Sequence, residues 1–280
     1  MTDEEPQVKG DSETTEGTLL PLEDGDIHAR DDGPPDAPAL LLVHGSAASG
    51  RSWDALVPLL TASHRVIRID LLGCGRSAKP DDGTYSIPDQ GRRAGQALDR
   101  LGIERAVAVG HSSGGMVAAS LAEQRPELVD ALALVSTGPD MGAFIAPEPA
   151  GIGPSHWPPD EEQVRRLAAT GFSRDGFRVP QSIVDDVRGM TFHSFAATTQ
   201  AADHYLEQRT LPDRLADVGK PLLVIFGEHD RRWRSSSAAD YRAVPGAEVD
   251  RLPGVGHSPI LEDPPRTAEL LLAFTARRRV

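Results

Sequence analysis

Six short aliphatic runs punctuate the chain: ALLLV (39–43), RVIRID (65–70), AVAVG (106–110), ALALVS (131–136), PLLVIFG (221–227) and AEVDRL (247–252). Most are continuous and do not alternate with polar residues, as in strands buried on both faces of a parallel sheet. Between them, 52–63, 86–101, 113–124 and 235–244 carry apolar residues at helical spacing, and Leu101-Gly102 and Gln124-Arg125-Pro126 supply helix stops. Strand and helix in alternation predict an α/β fold, a mostly parallel sheet with helices on both faces. The alternation lapses once. Residues 140–212 hold no strand-like run but three helix-like ones behind a proline-rich lead-in: a capping box at Asp160 and Gln163, the face of Ile183, Val184 and Val187, and the stretch Phe195 to Arg209. This reads as a helical insertion, a cap or lid. It divides a core of 17–139 and 213–280.

At 280 residues the chain is long enough for one large domain, and its 39% hydrophobic and 25% charged residues are those of an ordinary soluble protein. The net charge of −13 is unevenly placed, because residues 1–36 hold twelve acids against Lys9 and Arg30. Residues 1–16 thus read as an acidic tail too polar to bury and expected to be mobile. Such a chain offers no basic footprint for nucleic acid or anionic lipid, which leaves a small molecule as the expected partner. With one cysteine, Cys74, no signal-like leader and no apolar run near 20 residues, the expected location is the cytoplasm and no membrane span is expected.

Candidate chemistry centres on GHSSGG (110–115), wedged between AVAV and MVAASLA. It fits G-x-S-x-G, which holds a serine oxygen exposed at a strained strand-to-helix corner. As a plain turn it would need only small residues. As a nucleophile, Ser112 needs a base oriented by an acid. Of nine histidines, His257 lies in a glycine-flanked loop after the last strand-like run, where it can swing over the carboxyl edge of a sheet. For the acid, FGEHD presents Asp230 just past a strand, with Glu228 and Asp140 as competitors. Asp230 gives the order nucleophile, acid, base that goes with such a corner. An oxyanion would need two preset N–H donors, for which Ser113 and Ser46 are the candidates, with Ala47 as the alternative to Ser46.

The segments VHGSAASGRSWDAL, DLLGCGRSAKP, VGHSSGGMVAASLA, FGEHD and GVGHSPILEDP, in that order, resemble the α/β-hydrolase family over nearly all of 17–280. The resemblance implies an eight-stranded, mostly parallel sheet and a helical cap after the sixth strand. It also implies a triad of Ser112, Asp230 and His257. No cofactor is expected, and His193 and His204, eleven apart, are not spaced as a metal pair on one helix face, so no metal is expected. Gly73-x-Gly75-x-x-Ala78 mimics a dinucleotide fingerprint, but Lys79-Pro80-Asp81-Asp82-Gly83 breaks the chain where that reading requires a helix. A serine nucleophile performs acyl transfer, so a small or medium, largely apolar carboxylic ester is the expected substrate. Three alternatives share the parts: a carbon–carbon hydrolase for ring-cleavage products, a thioesterase or acyltransferase, and a ligand-sensing protein that keeps the fold without turnover. Met141, Phe144, Ile145, Trp157, Phe172, Met190, Phe192, Phe195 and Tyr205 either line a pocket or join the insertion to the core.

Overall fold

The computed structural model describes residues 16–146 and 152–277; the acidic stretch predicted over 1–16 lies, apart from Glu16, outside them. Eight strands form one sheet: β1 (Thr18–Leu20), β2 (Ile27–Asp32), β3 (Ala39–Val43), β4 (Arg65–Ile69), β5 (Ala106–His111), β6 (Val129–Val135), β7 (Leu222–Gly227) and β8 (Glu248–Leu252). Their spatial order is β1-β2-β4-β3-β5-β6-β7-β8. β1 and β2 pair antiparallel, β2 joins β4 antiparallel, and every later pairing is parallel.

The continuous apolar runs have their cause in this arrangement. Leu40 and Leu42 face one side of the sheet, with Trp53, Leu271 and Phe274, while Leu41 and Val43 face the other, with Met116 and Leu98. Both faces are therefore sealed, and each fully buried leucine contributes about 2 kcal/mol of transfer energy. The helices α2 (Ile87–Arg100), α3 (Ser113–Gln124) and α7 (Leu211–Val218) cover one face, and α1 (Val57–Leu60) and α9 (Pro264–Ala276), preceded by the short α8 (Pro259–Glu262), cover the other.

Three local readings change. Residues 52–63 do not form one helix but a 3₁₀ turn at Gly50–Trp53 followed by the four-residue α1, because Pro58 lacks an N–H and its ring blocks the preceding turn. The serine-rich 235–244 winds as 3₁₀ turns over Ser235–Ala243. The six visible runs miss two strands, the three-residue edge strand β1 and the half-polar β2 paired on both sides, and with them the sheet has the eight strands that the family resemblance implies.

Between β6 and β7 no strand occurs among the described residues. Instead come α4 (Glu161–Ala169), α5 (Gln181–Arg188) and α6 (Phe192–Gln208). The capping box at Asp160 and Gln163 opens α4, and a second at Thr191 and Ser194 opens α6. This helical segment is tied to the sheet by buried polar contacts. Asp186 of α5 accepts from Ser49 Oγ at 2.7 Å and pairs with Arg51, fixing α5 over the loop after β3. Glu262, 1% exposed, takes the N–H groups of Ser173 and Arg174 on one oxygen and those of Gly256 and Ser258 on the other.

The chain runs outward from β3 to β4, then returns to place β5 on the other flank of β3. A crevice opens at such a reversal, beyond the carboxyl ends of the strands. The loops after β3, β5, β7 and β8 all emerge on that edge.

Candidate active site

Ser112 follows β5 directly and opens α3 with φ +53° and ψ −125°, a backbone state that costs a non-glycine residue about 1–3 kcal/mol. The corner is overdetermined. Ser112 N–H donates to Val135 O at 2.9 Å, and Thr137 Oγ1 donates to Ser112 O at 2.9 Å. Gly114 is required because a Cβ there would lie 2.3 Å from Val43 O and 2.5 Å from His44 O. The first turn of α3 thus rests on the end of β3.

The loop after β3 is set by His44, which is fully buried. Its Nδ1–H donates to Gly45 O at 2.8 Å and its Nε2 accepts from Leu71 N–H at 2.9 Å, so the ring is held neutral in one tautomer. Burial also pulls its pKa down, against the pull of Asp70. Ser46 then meets Ser113 side chain to side chain, Oγ to Oγ at 2.9 Å. The backbone N–H groups of Ser46, Ala47 and Ser113 find no acceptor among the described residues. Ala47 sits at φ +53°, which turns the chain at this point. Ser46, Ala47, Ser112, Ser113 and His257 line one cavity of about 250 Å³.

His257 and Asp230 meet from two loops. Gly227 ends β7 where a Cβ would stand 1.8 Å from Gly256 O, so the loop bearing the acid passes against the loop bearing the histidine only because that side chain is absent. His257 Nδ1–H then donates to Asp230 Oδ2 at 2.9 Å. Asp230 Oδ1 is occupied by the N–H groups of Arg232 at 2.8 Å and Trp233 at 3.1 Å. Burial raises the Asp230 pKa, but the facing imidazole and these donors outweigh it and hold the carboxyl below its ordinary range. Asp230 is therefore charged at neutral pH. The competing acids are engaged elsewhere: Glu228 pairs with Arg251, and Asp140 caps the turn at Met141–Ala143.

The far nitrogen of His257, Nε2, is buried without a hydrogen-bond partner, whereas most buried polar atoms have one. Ser112 and His257 are not hydrogen-bonded to each other in this structure; both border the cavity. An imidazole with one nitrogen held by a carboxylate and the other unpaired, on the cavity that Ser112 borders, has a nitrogen free to accept a proton.

Two residues that sequence reading left out of the site complete it. His111, whose variable place within G-x-S-x-G gives no signal, donates Nε2–H to His257 O at 2.9 Å and lies 5.2 Å from the His257 ring, centroid to centroid. Burial first, then the neighbouring imidazole, push its pKa to about 3. Glu262 anchors the His257 loop through the N–H groups of Gly256 and Ser258; only its place in LEDP marks it.

The cavity walls are largely apolar. Phe144, Phe172 and Phe195 line it, as do Val164, Leu167 and Val187, whose helical spacing alone reads as core. Trp157 instead packs on Phe192 and Phe195, with its Nε1 donating to Met190 O, and Tyr205 donates to Glu123, so these residues join the helical segment to itself and to α3. The Asp-Leu-Leu-Gly-Cys-Gly turn is built around its own carboxylate. Its Asp70 takes the N–H groups of Gly50 and Arg76 together with His28 Nδ1–H, which closes the turn on itself. Burial pushes the Cys74 thiol up to about 12, too high for a reactive thiolate.

Two expected results follow from this geometry. Gly227→Ala forces two loops apart at the point where acid and base meet, and it should cost about 3 kcal/mol or more. Urea unfolding checks this, and a loss under 1 kcal/mol would refute the close-approach argument. The second concerns pH. His111 in the folded protein binds its proton well below the ordinary 6.5, so the unfolded chain holds more protons between pH 6.5 and about 3. Stability is therefore full above 6.5 and falls as pH drops through this window, by about 1.4 kcal/mol per unit from this one group. His44 acts in the same direction. Urea unfolding at pH 7.5 and 5.5 should show the slope, and His111→Gln should reduce it.

Residues 40–270 match the model of the Alpha/beta hydrolase family, and the chain belongs to that family. It is 32% identical to the uncharacterized protein Rv2715 of Mycobacterium tuberculosis, over 85% of this chain and 75% of that protein. It is 24% identical to carboxylesterase YbfK of Bacillus subtilis, over 89% and 84% of the two chains. The crystal structure of the meta-cleavage product hydrolase CumD (A129V mutant) superposes with a TM-score of 0.79 at 21% identity, over 93% of this chain and 98% of that one. The chain is thus an α/β hydrolase. Among the described residues no helix is long and apolar enough to cross a membrane, and no group of three or more His, Cys, Asp or Glu is disposed to hold a metal ion.

Proposed function

We propose that this protein is a serine esterase that hydrolyses small or medium, largely apolar carboxylic esters in the cytoplasm through an acyl-enzyme on Ser112. Ser112 Oγ attacks the ester carbonyl as His257 Nε2 takes its proton. The Ser112–His257 hydrogen bond, not made in this structure, forms with substrate in place, as such contacts commonly do. Asp230 keeps Nδ1 protonated and offsets the imidazolium charge. The N–H groups of Ser46 and Ser113 hold the oxyanion. Collapse expels the alkoxide, which receives the proton from Nε2. Water, deprotonated by Nε2, then releases the acid. In this reading residues 140–212 act as the cap that walls the cavity and sorts substrates.

The observation that carries the reading is the buried, partnerless Nε2 of His257 on the cavity that Ser112 borders, with its Nδ1 bound to Asp230. The apolar walls support an apolar ester. The test is a series of p-nitrophenyl esters of graded acyl length, run on the purified protein. Turnover that peaks at short or medium acyl chains is expected. No ester turnover, together with cleavage of a vinylogous diketone, would replace the reading with a carbon–carbon hydrolase.

A further inference from the structure

Arg232 stands two residues past Asp230 and serves two directions. Its N–H orients the acid, while its side chain lines the cavity that Ser112 borders. The guanidinium meets only neutral oxygens: Nε donates to Thr170 Oγ1 at 3.2 Å and Nη2 to Leu167 O at 3.3 Å. Nη1 has no acceptor among the described residues, and it is not sealed away from solvent. A guanidinium has five N–H donors and keeps its proton even where, as here, burial draws its pKa down. The cavity wall thus carries a fixed positive charge with unused donors.

Other buried or half-buried arginines are neutralised: Arg51 by Asp186, Arg68 by Asp32 and Asp54, Arg93 by Asp24, Arg214 by Glu123. Acids are not scarce in a chain with 42 of them against 29 bases, yet among the described residues none forms an ion pair with Arg232. Asp230 is near, but its oxygens are taken by His257 and by two N–H groups, and no ion pair joins it to Arg232. Asp203 borders the cavity from α6, and it too makes no ion pair with Arg232; burial, then Glu207, raise its pKa. A half-buried guanidinium that makes no ion pair and keeps donors open to the cavity is placed to meet an arriving anion. Arginine presents its donors as a planar fork that matches a carboxylate.

We propose that Arg232 is an anion subsite of the catalytic cavity, and that the natural substrate is an ester carrying a carboxylate that pairs with this guanidinium. The inference rests on the esterase reading for the reacting end and adds a second recognised group to an otherwise apolar substrate. It makes Arg232 the residue that sets specificity.

The test compares matched esters. On the leaving-group side these are 4-acetoxybenzoate and its methyl ester; on the acyl side they are monophenyl glutarate and phenyl methyl glutarate. Wild type is expected to prefer the carboxylate member of at least one pair in kcat/KM, and the pair that shows it places the anion. Arg232→Met, which keeps the apolar stem, should lower that preference about 10²-fold, mostly through KM, as removal of one partner of a buried charged pair does. Arg232→Lys should restore part of it. A wild-type preference for both neutral members, or a ratio unchanged in Arg232→Met, overturns the subsite. If no ester is turned over, the esterase reading fails on its own, and calorimetric binding of 4-hydroxybenzoate and glutarate decides this one. Binding by wild type that weakens at least tenfold in Arg232→Met supports it. Equal binding by both proteins, or none by wild type, overturns it.

Discussion

Asp230→Asn should lower kcat for the best ester by about 10⁴-fold while the fold and KM stay nearly unchanged. The reason lies in how the carboxylate is held. Oδ1 accepts two backbone N–H groups, from Arg232 and Trp233, and neither donor can turn away. An asparagine must therefore place its oxygen there and its NH₂ where Oδ2 now meets His257. That NH₂ needs an acceptor, so Nδ1 gives up its proton and Nε2 takes it. The nitrogen that should receive the serine proton is then already occupied. Rates across pH check this: the variant should recover activity only at high pH, where hydroxide replaces the base. A loss under tenfold at neutral pH would mean that the acid is another residue.

Ser112→Ala is expected to be as severe, with kcat falling about 10⁴- to 10⁶-fold and a small residue of activity from the oxyanion donors alone. Because the substituted alanine would occupy the same positive-φ corner, held by Val135 and Thr137 through bonds to its backbone, the change removes the hydroxyl without removing the elbow. An acyl-enzyme trapped by a slow ester in wild type and absent by mass spectrometry in the variant is the direct check. Hydrolysis that survives the substitution would show that Ser112 is not the attacking group.

Much of the scaffold is legible without coordinates. ALLLV, AVAVG and PLLVIFG are apolar without interruption because a strand covered on both faces has no polar side to show. The elbow is legible too, since Gly110, Ser112 and Gly114 satisfy a steric need that only small residues meet. β1 escaped because it is a three-residue edge strand, and β2 because, though paired on both sides, it is polar over its second half. The helix expected over 52–63 failed at Pro58, where a local rule outweighed the apolar spacing.

Local chemistry names candidates: a serine at a strained corner, a histidine in a glycine-flanked loop, and three acids placed after strands. It is the order of the strands that brings four loops to one edge, and the missing Cβ at Gly227 that lets two of them touch. Only then do Glu228, Asp140 and Asp230 differ, because, of the three, it is Asp230 that meets His257. His111, Glu262 and Arg232 emerged the same way. Their roles depend on partners 146, 6 and 62 residues away along the chain. Side-chain type and spacing are properties of a segment and are written in it. Hydrogen-bond partners and uncompensated charge are properties of surroundings, which exist only after the sheet has closed its neighbours around each residue.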